Sequence, residues 1–427
     1  MAEATPRSAS NTSWPPIHSS VKDKLDPAFV TLYNNDVIPN APAPSQDIHI
    51  IRKNFRLLFR GSAPDGQEPK YNMQGRAPQI KAYATDWVPE WEGYPGSSPE
   101  ILEKEHRCGD IEIKVFKPYL ARDDHLPTPV HFTFHSGAFV AGDVLTDYHS
   151  DYTICAGAEC TVINIGYRLA HDTPFGVGIM DALRAVQWIL AYHDAYSIQP
   201  DNFTLGGVNA GGTIALLLAH LLRDADTPGL KGVVVGTPLI SDVRKLTHPE
   251  MSPYPSMSDF QHAPMLDWQR MKLLDVFKST KTNPSRDLNR CLPWFLDLMK
   301  APNLKNVAPL TFIGTAEIDP RCDEAEEYAN YLRSEGNDVR LKRYPGVPHQ
   351  FMYFPERLQQ ARDYLRDVTE CVKECQARKN DVSHASMQQA GQRKAAQSVG
   401  NPVLMSNHHQ VDNPDAMVLD TGLVLPS

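Results

Sequence analysis

An aspartate and a histidine in the carboxyl-terminal half of the chain are spaced to work as an acid–base pair. Asp319 follows an apolar, β-branched run at residues 310–315, and His349 follows a second run at 339–344. A carboxylate bonded to one imidazole nitrogen fixes the tautomer of the ring and leaves the other nitrogen to act as a base. Either residue alone is more often structural than catalytic, so the prediction depends on their joint position.

A strand that runs into a glycine-rich turn and then a helix lies earlier in the chain. The predicted strand at 202–208 leads into Gly207-Val208-Asn209-Ala210-Gly211-Gly212, after which an apolar helix begins. Small neighbours permit the sharp turn of a nucleophile elbow, which lifts its central side chain above a sheet. The central residue here is Asn209, and a carboxamide is not a nucleophile. A glycine-rich turn that binds phosphate is the alternative reading of this segment.

A third segment would present backbone N–H groups to a developing negative charge. After the predicted strand at 130–134 the chain reads His135-Ser136-Gly137-Ala138-Phe139, which is the position of an oxyanion loop. By itself such a segment is more often a structural turn, so its role depends on the other motifs.

Five motifs in this order resemble the hormone-sensitive-lipase branch of the α/β hydrolases over residues 106–365. Besides the two glycine-rich segments and His349-Gln350-Phe351, they are Tyr167-Arg168-Leu169-Ala170-His171-Asp172-Thr173-Pro174-Phe175 and Asp319-Pro320-Arg321-Cys322-Asp323-Glu324. The resemblance implies an α/β fold with a mostly parallel central sheet, flanking helices, and a cap from the N-terminal segment and an insertion. It also implies that Asn209 stands where the family carries its serine, and no displaced G-x-S-x-G occurs elsewhere in the sequence.

The resemblance also implies which residues form the site. They are His349, Asp319 and Asn209 for catalysis and Gly137, Ala138 and Ala210 for the oxyanion hole. Without a serine, these parts suit a non-hydrolytic cyclisation, condensation, elimination or isomerisation of a small hydrophobic molecule, as in hydrolase-like proteins of secondary metabolism. Two alternatives stay open: hydrolysis by a water that His349 activates, and a non-catalytic small-molecule binding protein.

Composition narrows the class of partner. The 427-residue chain carries 51 acidic and 42 basic residues without a long single-sign block, which argues against nucleic acid. The first 20 residues lack the apolar stretch of a signal peptide, and no segment approaches the ~18 apolar residues that span a bilayer. Seven irregularly spaced cysteines indicate reduced thiols. We therefore expect a cytoplasmic enzyme that acts on a small-molecule substrate without a metal or other cofactor; a homodimer is left open.

Changes in composition and hydrophobic pattern divide the chain into segments. Residues 1–20 and 376–427 are polar and are predicted to be disordered. Residues 21–105 mix short helical patterns, at 22–33 and 49–59, with Pro-rich connections and are predicted to form an N-terminal cap segment. The α/β-hydrolase domain is placed at 106–375. Within it a Pro- and Met-rich cap insertion at 241–306 is expected to cover the ligand crevice.

Within residues 106–375 short β-branched runs alternate with helical segments, the pattern of a parallel sheet. The predicted strands are 111–116, 130–134, 161–167, 202–208, 232–237, 310–315 and 339–344. The predicted helices are 178–196, 211–223, 265–277, 323–334 and 355–375. Aromatic residues of the cap regions suggest a bulky apolar ligand, unless they only pack the cap; they are Trp91, Tyr254, Phe260, Trp268 and Trp294.

Overall fold

The structure is a computed structural model that describes residues 14–40, 45–59, 102–108, 111–118, 126–278 and 292–378. Several predictions lie outside the described residues: the tails at 1–13 and 379–427, the cap segment at 41–44 and 60–101 with Trp91, and residues 279–291 of the insertion. The chain divides into two units, Met1–Gln376 and Ala377–Ser427. Only residues 377–378 of the second unit are described.

The described strands form one sheet. In chain order they are β1 (Leu102–Cys108), β2 (Ile111–Lys117), β3 (Thr128–Phe134), β4 (Thr161–Gly166), β5 (Ile198–Val208), β6 (Leu230–Gly236), β7 (Thr311–Ile318) and β8 (Val339–Pro348). Their spatial order is β1-β2-β4-β3-β5-β6-β7-β8. β2 pairs antiparallel with β1 and β4, and every pair from β4 to β8 is parallel. All seven predicted strands are present, which confirms an α/β fold with a mostly parallel sheet.

Burial explains which strands could be predicted from the sequence. β4 and β7 are buried along nearly their whole length, because helices cover both faces of a parallel sheet and make its strands continuously apolar. β1 was not predicted. Its sequence, LEKEHRC, carries charges at alternate and adjacent positions, and it lies at the edge of the sheet beside β2. The proposed domain start at residue 106 therefore falls inside β1.

Helices flank this sheet. They are α1 (Ser19–Lys22), α2 (Pro27–Leu32), α3 (Ile38–Asn40), α4 (Ile48–Phe59), α5 (Tyr148–Ala158), α6 (Val177–Ala191), α7 (His193–Tyr196), α8 (Ala210–Asp224), α9 (Pro255–Asp259), α10 (Trp268–Val276), α11 (Pro293–Leu296), α12 (Cys322–Ser334) and α13 (Gln359–Ala377). The five helices predicted beyond residue 106 correspond to α6 with α7, α8, α10, α12 and α13. In the described part of the chain, none of them combines the length and apolar character needed to cross a bilayer.

Two helical predictions differ from the structure. The continuous helix predicted at 22–33 is wrong, because Asp26 and Pro27 start a new helix: the Asp26 side chain accepts a hydrogen bond from the Ala28 N–H at 2.7 Å. α5 was missed. Nine of its eleven residues are buried, including His149 and Asp151, so no polar face alternates with an apolar one and no helical period is visible in the sequence.

The N-terminal residues pack on the end of the sheet next to β8. Trp14, Phe29 and Tyr33 are buried in one apolar cluster with Tyr344 and Phe351. The Asp26 N–H donates to the carbonyl of Gly346 at 2.7 Å. Residues 14–20, which the sequence assigned to a disordered terminus, therefore belong to the folded part of the chain.

Gly211 generates a prediction about the helix that follows the elbow. A Cβ at this position would lie 1.7 Å from the carbonyl oxygen of Phe134 at the end of β3. The Phe134 carbonyl belongs to the backbone of β3, and Gly211 belongs to the backbone of α8. Because neither can shift easily, Gly211→Ala should lower the free energy of unfolding by about 1–3 kcal/mol or more. Chemical denaturation measures this change.

Gly336→Ala is the matched control. Gly336 has a positive φ of 87°, which helical Gly211 does not have, but a Cβ there meets no atom within 4 Å. It should therefore lose only the cost of a left-handed residue, about 1 kcal/mol. An equal loss of stability in the two variants would contradict the steric explanation for Gly211.

Candidate active site

Asn209 occupies the sharp turn between β5 and α8. Its backbone angles, φ 55° and ψ −120°, lie outside the helical and extended regions, a conformation that costs a non-glycine residue of order 1–3 kcal/mol. The Asn209 N–H donates to the carbonyl of Gly236 in β6 at 2.9 Å, which holds the turn against the sheet. The side chain is 4% exposed. A strained residue at the end of a parallel strand is a typical position for a functional group.

Asp319 and His349 come together as the sequence predicts. Asp319 follows β7 and His349 follows β8, and these strands are parallel neighbours, so their carboxyl ends meet at one edge of the sheet. The His349 Nδ1 and Asp319 Oδ2 atoms are 2.7 Å apart, and both side chains are buried. The second carboxylate oxygen, Oδ1, accepts the N–H of Arg321 at 2.9 Å. The aspartate is therefore held in place while it orients the imidazole ring.

The Asn209 carboxamide bridges this pair to the predicted oxyanion loop. Its Nδ2 atom lies 2.7 Å from the His349 Nε2 atom, and its Oδ1 atom lies 2.9 Å from the backbone nitrogen of Ala138. A backbone N–H can only donate, so the oxygen of the amide must face Ala138 and the NH₂ group must face the histidine. The Nε2 atom then accepts through its lone pair, and Nδ1 carries the proton that it donates to Asp319.

The loop after β3 has an unusual backbone conformation. Three consecutive residues have positive φ: Gly137 at 123°, Ala138 at 54° and Phe139 at 68°. Ala138 thus accommodates the left-handed conformation in which the family resemblance would place a glycine. Gly137 and Ala138 line a cavity, and Ala210 is fully buried at the first position of α8. Of the three predicted donors, the N–H of Ala138 is the one that Asn209 engages.

A buried polar group that sequence reasoning missed supports this loop. The Asp147 carboxylate accepts the Ser136 N–H at 2.8 Å and the Tyr353 hydroxyl at 2.5 Å. The Ser136 and Tyr353 hydroxyls also form a short hydrogen bond with each other. Burial raises the pKa of the Asp147 carboxyl to about 6, although the hydrogen bonds from Tyr353 and Ser136 act in the opposite direction. Asp147 precedes the unpredicted α5, so no motif drew attention to it.

Arg52 ties the N-terminal helix α4 to the site. Its guanidinium donates to the carbonyl of Val140 at 2.7 Å, to the carbonyl of Ala170 at 3.0 Å, and to the Asp172 carboxylate at 2.6 Å. One side chain thus joins the oxyanion loop and the Tyr167–Phe175 motif to a segment about 90 residues upstream. Nothing in the sequence around Arg52 indicated this contact.

A cavity of about 760 Å³ opens at Asn209, a volume typical of small-molecule sites. Its apolar wall is formed by residues of α4, α10 and the connecting segments: Ile51, Phe55, Leu239, Val243, Met265, Leu266, Met271, Leu273 and Leu274. His349 and Asp319 lie behind Asn209 and do not line it. Of the aromatics named from the sequence, Tyr254, Phe260, Trp268 and Trp294 are also absent from the wall, which instead contains Trp14 and Phe55.

Charged side chains also line the cavity, between the apolar ones. Asp275 and Lys278 form an ion pair at 2.6 Å, and both are more than nine-tenths buried. The Arg270 guanidinium stacks 3.8 Å from the ring of Trp14. Among the described residues, no cluster of three or more His, Cys, Asp or Glu side chains is arranged to hold a metal ion.

Comparison with known proteins places this site in a known fold. A family model described as the alpha/beta hydrolase fold matches residues 131–353. Versiconal hemiacetal acetate esterase from Dothistroma septosporum is 29% identical over 250 residues, which are 58% of this chain and 74% of the relative. Carboxylesterase NlhH from Mycobacterium tuberculosis is 30% identical over 269 residues, or 61% and 78% of the two chains. The solved structure of vibralactone cyclase, 20% identical, covers 83% of this chain and 96% of its own with a TM-score of 0.64.

The raised pKa of Asp147 predicts a pH-dependent stability. In the folded state this carboxyl keeps its proton at pH values where the unfolded chain, with its ordinary value of 3.8, has released it. Stability should therefore fall as the pH rises from about 4 to about 6 and then level off. Asp147→Asn removes this contribution. The free energy of unfolding of the wild type relative to that variant should decrease across the interval.

Urea denaturation at a series of pH values measures this difference. Asp259→Asn, which removes a carboxyl from the exposed surface, controls for the change in net charge. A difference between wild type and Asp147→Asn that stays constant from pH 4 to 7 would contradict the assignment.

Proposed function

Because the chain belongs to the α/β-hydrolase-fold family, we propose that it is an enzyme of this family in which Asn209 takes the place of the serine nucleophile. The observation that carries this proposal is the position of the Asn209 carboxamide, between the His349 Nε2 atom and the Ala138 N–H. A serine in this turn would present its hydroxyl to the same histidine. An amide nitrogen has no nucleophilic lone pair, so acyl transfer through residue 209 is excluded.

The cost of losing the serine decides against ordinary ester hydrolysis. Removal of the serine from a working triad lowers kcat about a millionfold, and the remaining rate comes from binding and the oxyanion hole. The two curated relatives described above are named as esterases, and their names do not carry over to a chain with this substitution. The proposed reaction therefore uses the histidine and the backbone amides without a covalent ester.

Abstraction of a proton next to a substrate carbonyl fits the remaining groups. A carbonyl oxygen that replaces the Asn209 Oδ1 atom would receive the Ala138 N–H, and a neighbouring acidic C–H would face the His349 Nε2 atom. The negative charge that develops on the oxygen is then stabilised by the amide, while His349 takes the proton. The Ala138 N–H would then donate to the substrate in place of the Asn209 Oδ1 atom, and the His349 Nε2 lone pair would face the substrate C–H in place of the Asn209 Nδ2 atom. Cyclisation, condensation, elimination and isomerisation all start from this step.

The cavity supports a small hydrophobic substrate. Its volume of about 760 Å³ and its wall of apolar side chains interrupted by polar and charged ones suit a small hydrophobic molecule with one or two polar groups. Such molecules are typical of secondary metabolism, where hydrolase-like proteins with non-hydrolytic reactions resemble this arrangement. We include a biosynthetic role of that kind in the proposal.

A non-catalytic small-molecule binding protein is the second candidate. The observation that favours it is that one side chain occupies both the base and an oxyanion donor, while His349 itself is fully buried. In such a protein the carboxamide would stay in place when the ligand binds. The two candidates differ in whether His349 ever meets the ligand.

Asn209→Ser tests the replacement of the nucleophile. A serine at this turn should react with a fluorophosphonate probe and hydrolyse an activated ester such as p-nitrophenyl butyrate, because the histidine, its aspartate and the Ala138 amide are already positioned. The wild type should not be labelled. Gel fluorescence and ester absorbance give both readouts.

The double variant Asn209→Ser/His349→Ala is the control, since it keeps the serine and removes its base. It should lose the labelling that the single variant gains. Robust labelling of the wild type would overturn the proposal that serine chemistry is absent. Ester turnover by the wild type without labelling, lost in His349→Ala, would instead indicate hydrolysis by an activated water.

Deuterium exchange tests the proton abstraction itself. A panel of apolar ketones and 1,3-dicarbonyl compounds is incubated with the protein in D₂O, and NMR follows exchange at the carbon next to the carbonyl. We expect exchange with the wild type and a decrease of about 10²- to 10⁴-fold in His349→Ala, the usual contribution of a general base.

His248→Ala, which removes an exposed histidine, is the matched control and should exchange like the wild type. Equal exchange in His349→Ala and wild type would contradict the role of His349 as base. Probes that quench tryptophan fluorescence by binding near Trp14, yet show no exchange above the uncatalysed rate, would favour the binding protein.

A further inference from the structure

The Asn209 side chain is held in the way that a hydrolase holds an amide substrate. Its carbonyl oxygen accepts the Ala138 N–H at 2.9 Å, and its amide nitrogen lies 2.7 Å from the His349 Nε2 atom. In amide hydrolysis the oxyanion donor stabilises the negative charge on the carbonyl oxygen, and the histidine protonates the amide nitrogen as it leaves. Both groups belong here to one residue of the protein itself.

We infer that Asn209 is a self-modification site, at which the protein hydrolyses its own carboxamide to a carboxylate. Water attacks the Asn209 Cγ atom, and the His349 Nε2 atom takes one proton from that water. The tetrahedral oxyanion is stabilised by the Ala138 N–H. The Cγ–Nδ2 bond then breaks, and Nδ2 leaves as ammonia with the proton that His349 returns. One water is consumed, and the products are an aspartate at position 209 and ammonium.

The direction of the hydrogen bond to His349 changes during this reaction. In the amide, Nδ2 donates to the Nε2 lone pair because conjugation leaves the amide nitrogen without a basic lone pair. In the tetrahedral intermediate the nitrogen is pyramidal and basic, and Nε2 carries the proton taken from water. The same contact of 2.7 Å then allows Nε2–H to donate to the leaving group. Asp319 keeps Nδ1 bonded throughout, at 2.7 Å.

Water can reach the reacting atom from the cavity. Asn209 lines this cavity, whose volume of about 760 Å³ is large enough for many water molecules. His349 is fully buried behind the amide, so the attacking water enters from the cavity, and it must reach the Nε2 atom past the Asn209 Nδ2 atom that contacts it. The site is thus open to water on the side where Cγ is attacked.

Other buried asparagines lack this arrangement. The Asn164 Nδ2 atom donates to the Asp151 carboxylate at 2.6 Å, and the Asn337 Nδ2 atom donates to the carbonyls of Leu304 and Leu332 at 2.6 and 2.7 Å. These partners accept hydrogen bonds, but none of them is an imidazole that can shuttle a proton from water to the leaving nitrogen. The two residues are therefore internal controls for the chemistry at Asn209.

The product would change what the site can do. A carboxylate at the elbow is an acceptor for the Ala138 N–H and for a protonated His349, and Asp and Glu carboxylates form covalent ester intermediates in several enzyme classes. The inference does not rest on the proposed reaction, because it requires only the dyad, the Ala138 amide and water. The outcomes of the exchange and fluorophosphonate experiments are therefore independent of this inference.

Peptide mass spectrometry of the purified full-length chain tests the inference. Samples taken from cell harvest through prolonged incubation in H₂¹⁸O should show the peptide with residue 209 converting from the amide to the acid with one ¹⁸O incorporated. The peptides with Asn164 and Asn337 should remain unchanged in the same digests. N209D provides the reference for the product. His349→Ala should slow the conversion by about 10²- to 10⁴-fold.

The type of product keeps the test decisive even if His349→Ala does not fold. Direct hydrolysis yields only normal aspartate, whereas spontaneous deamidation through a cyclic imide, formed by the Ala210 nitrogen, also yields isoaspartate. Electron-transfer dissociation separates the two. Isoaspartate at residue 209, conversion at the same rate in folded His349→Ala, or a wild type that remains fully amidated would each overturn the inference.

Discussion

The left-handed backbone at Asn209 is the constraint on which the site depends. With φ at 55° and ψ at −120°, the chain turns from β5 into α8 within one residue. The turn leaves the Asn209 side chain at the carboxyl end of the sheet, between the loop after β3 and the histidine after β8. Gly211 is required next to it because α8 passes so close to the Phe134 carbonyl. A side chain held by a strained backbone has little freedom, so its chemical identity decides what the site can do.

Two distant contacts keep the groups around Asn209 in register. Asp147 and Tyr353 hold the start of the predicted oxyanion loop through Ser136, and Arg52 holds its end through the carbonyl of Val140. These residues come from three separate parts of the chain. A cavity with an apolar wall therefore meets a rigid polar edge, which is the general arrangement of a small-molecule site. Helix α4 is part of the same arrangement, because Arg52 anchors it while Ile51 and Phe55 line the cavity.

Local patterns were enough to predict most of the architecture. Seven strands with buried β-branched runs and five helices were placed within a few residues of their observed bounds. The patterns failed where burial or charge removed the contrast between faces. α5 is buried nearly all round, β1 is a charged edge strand, and the helix predicted at 22–33 is interrupted at Pro27 by a cap that propensity alone did not indicate.

The sequence by itself determined the fold class and the positions of the candidate groups along the chain. Motif order placed Asn209 at the elbow, Asp319 and His349 after the last two strands, and Ala138 in the loop, because each position follows from a strand end. Only the tertiary structure decided how these groups meet. The carboxamide accepts from the Ala138 N–H and donates to His349, and this depends on distances and on the orientation of an amide, which no spacing of residues records. The Asp147 and Arg52 contacts were decided in the same way, since they join residues that only folding brings together.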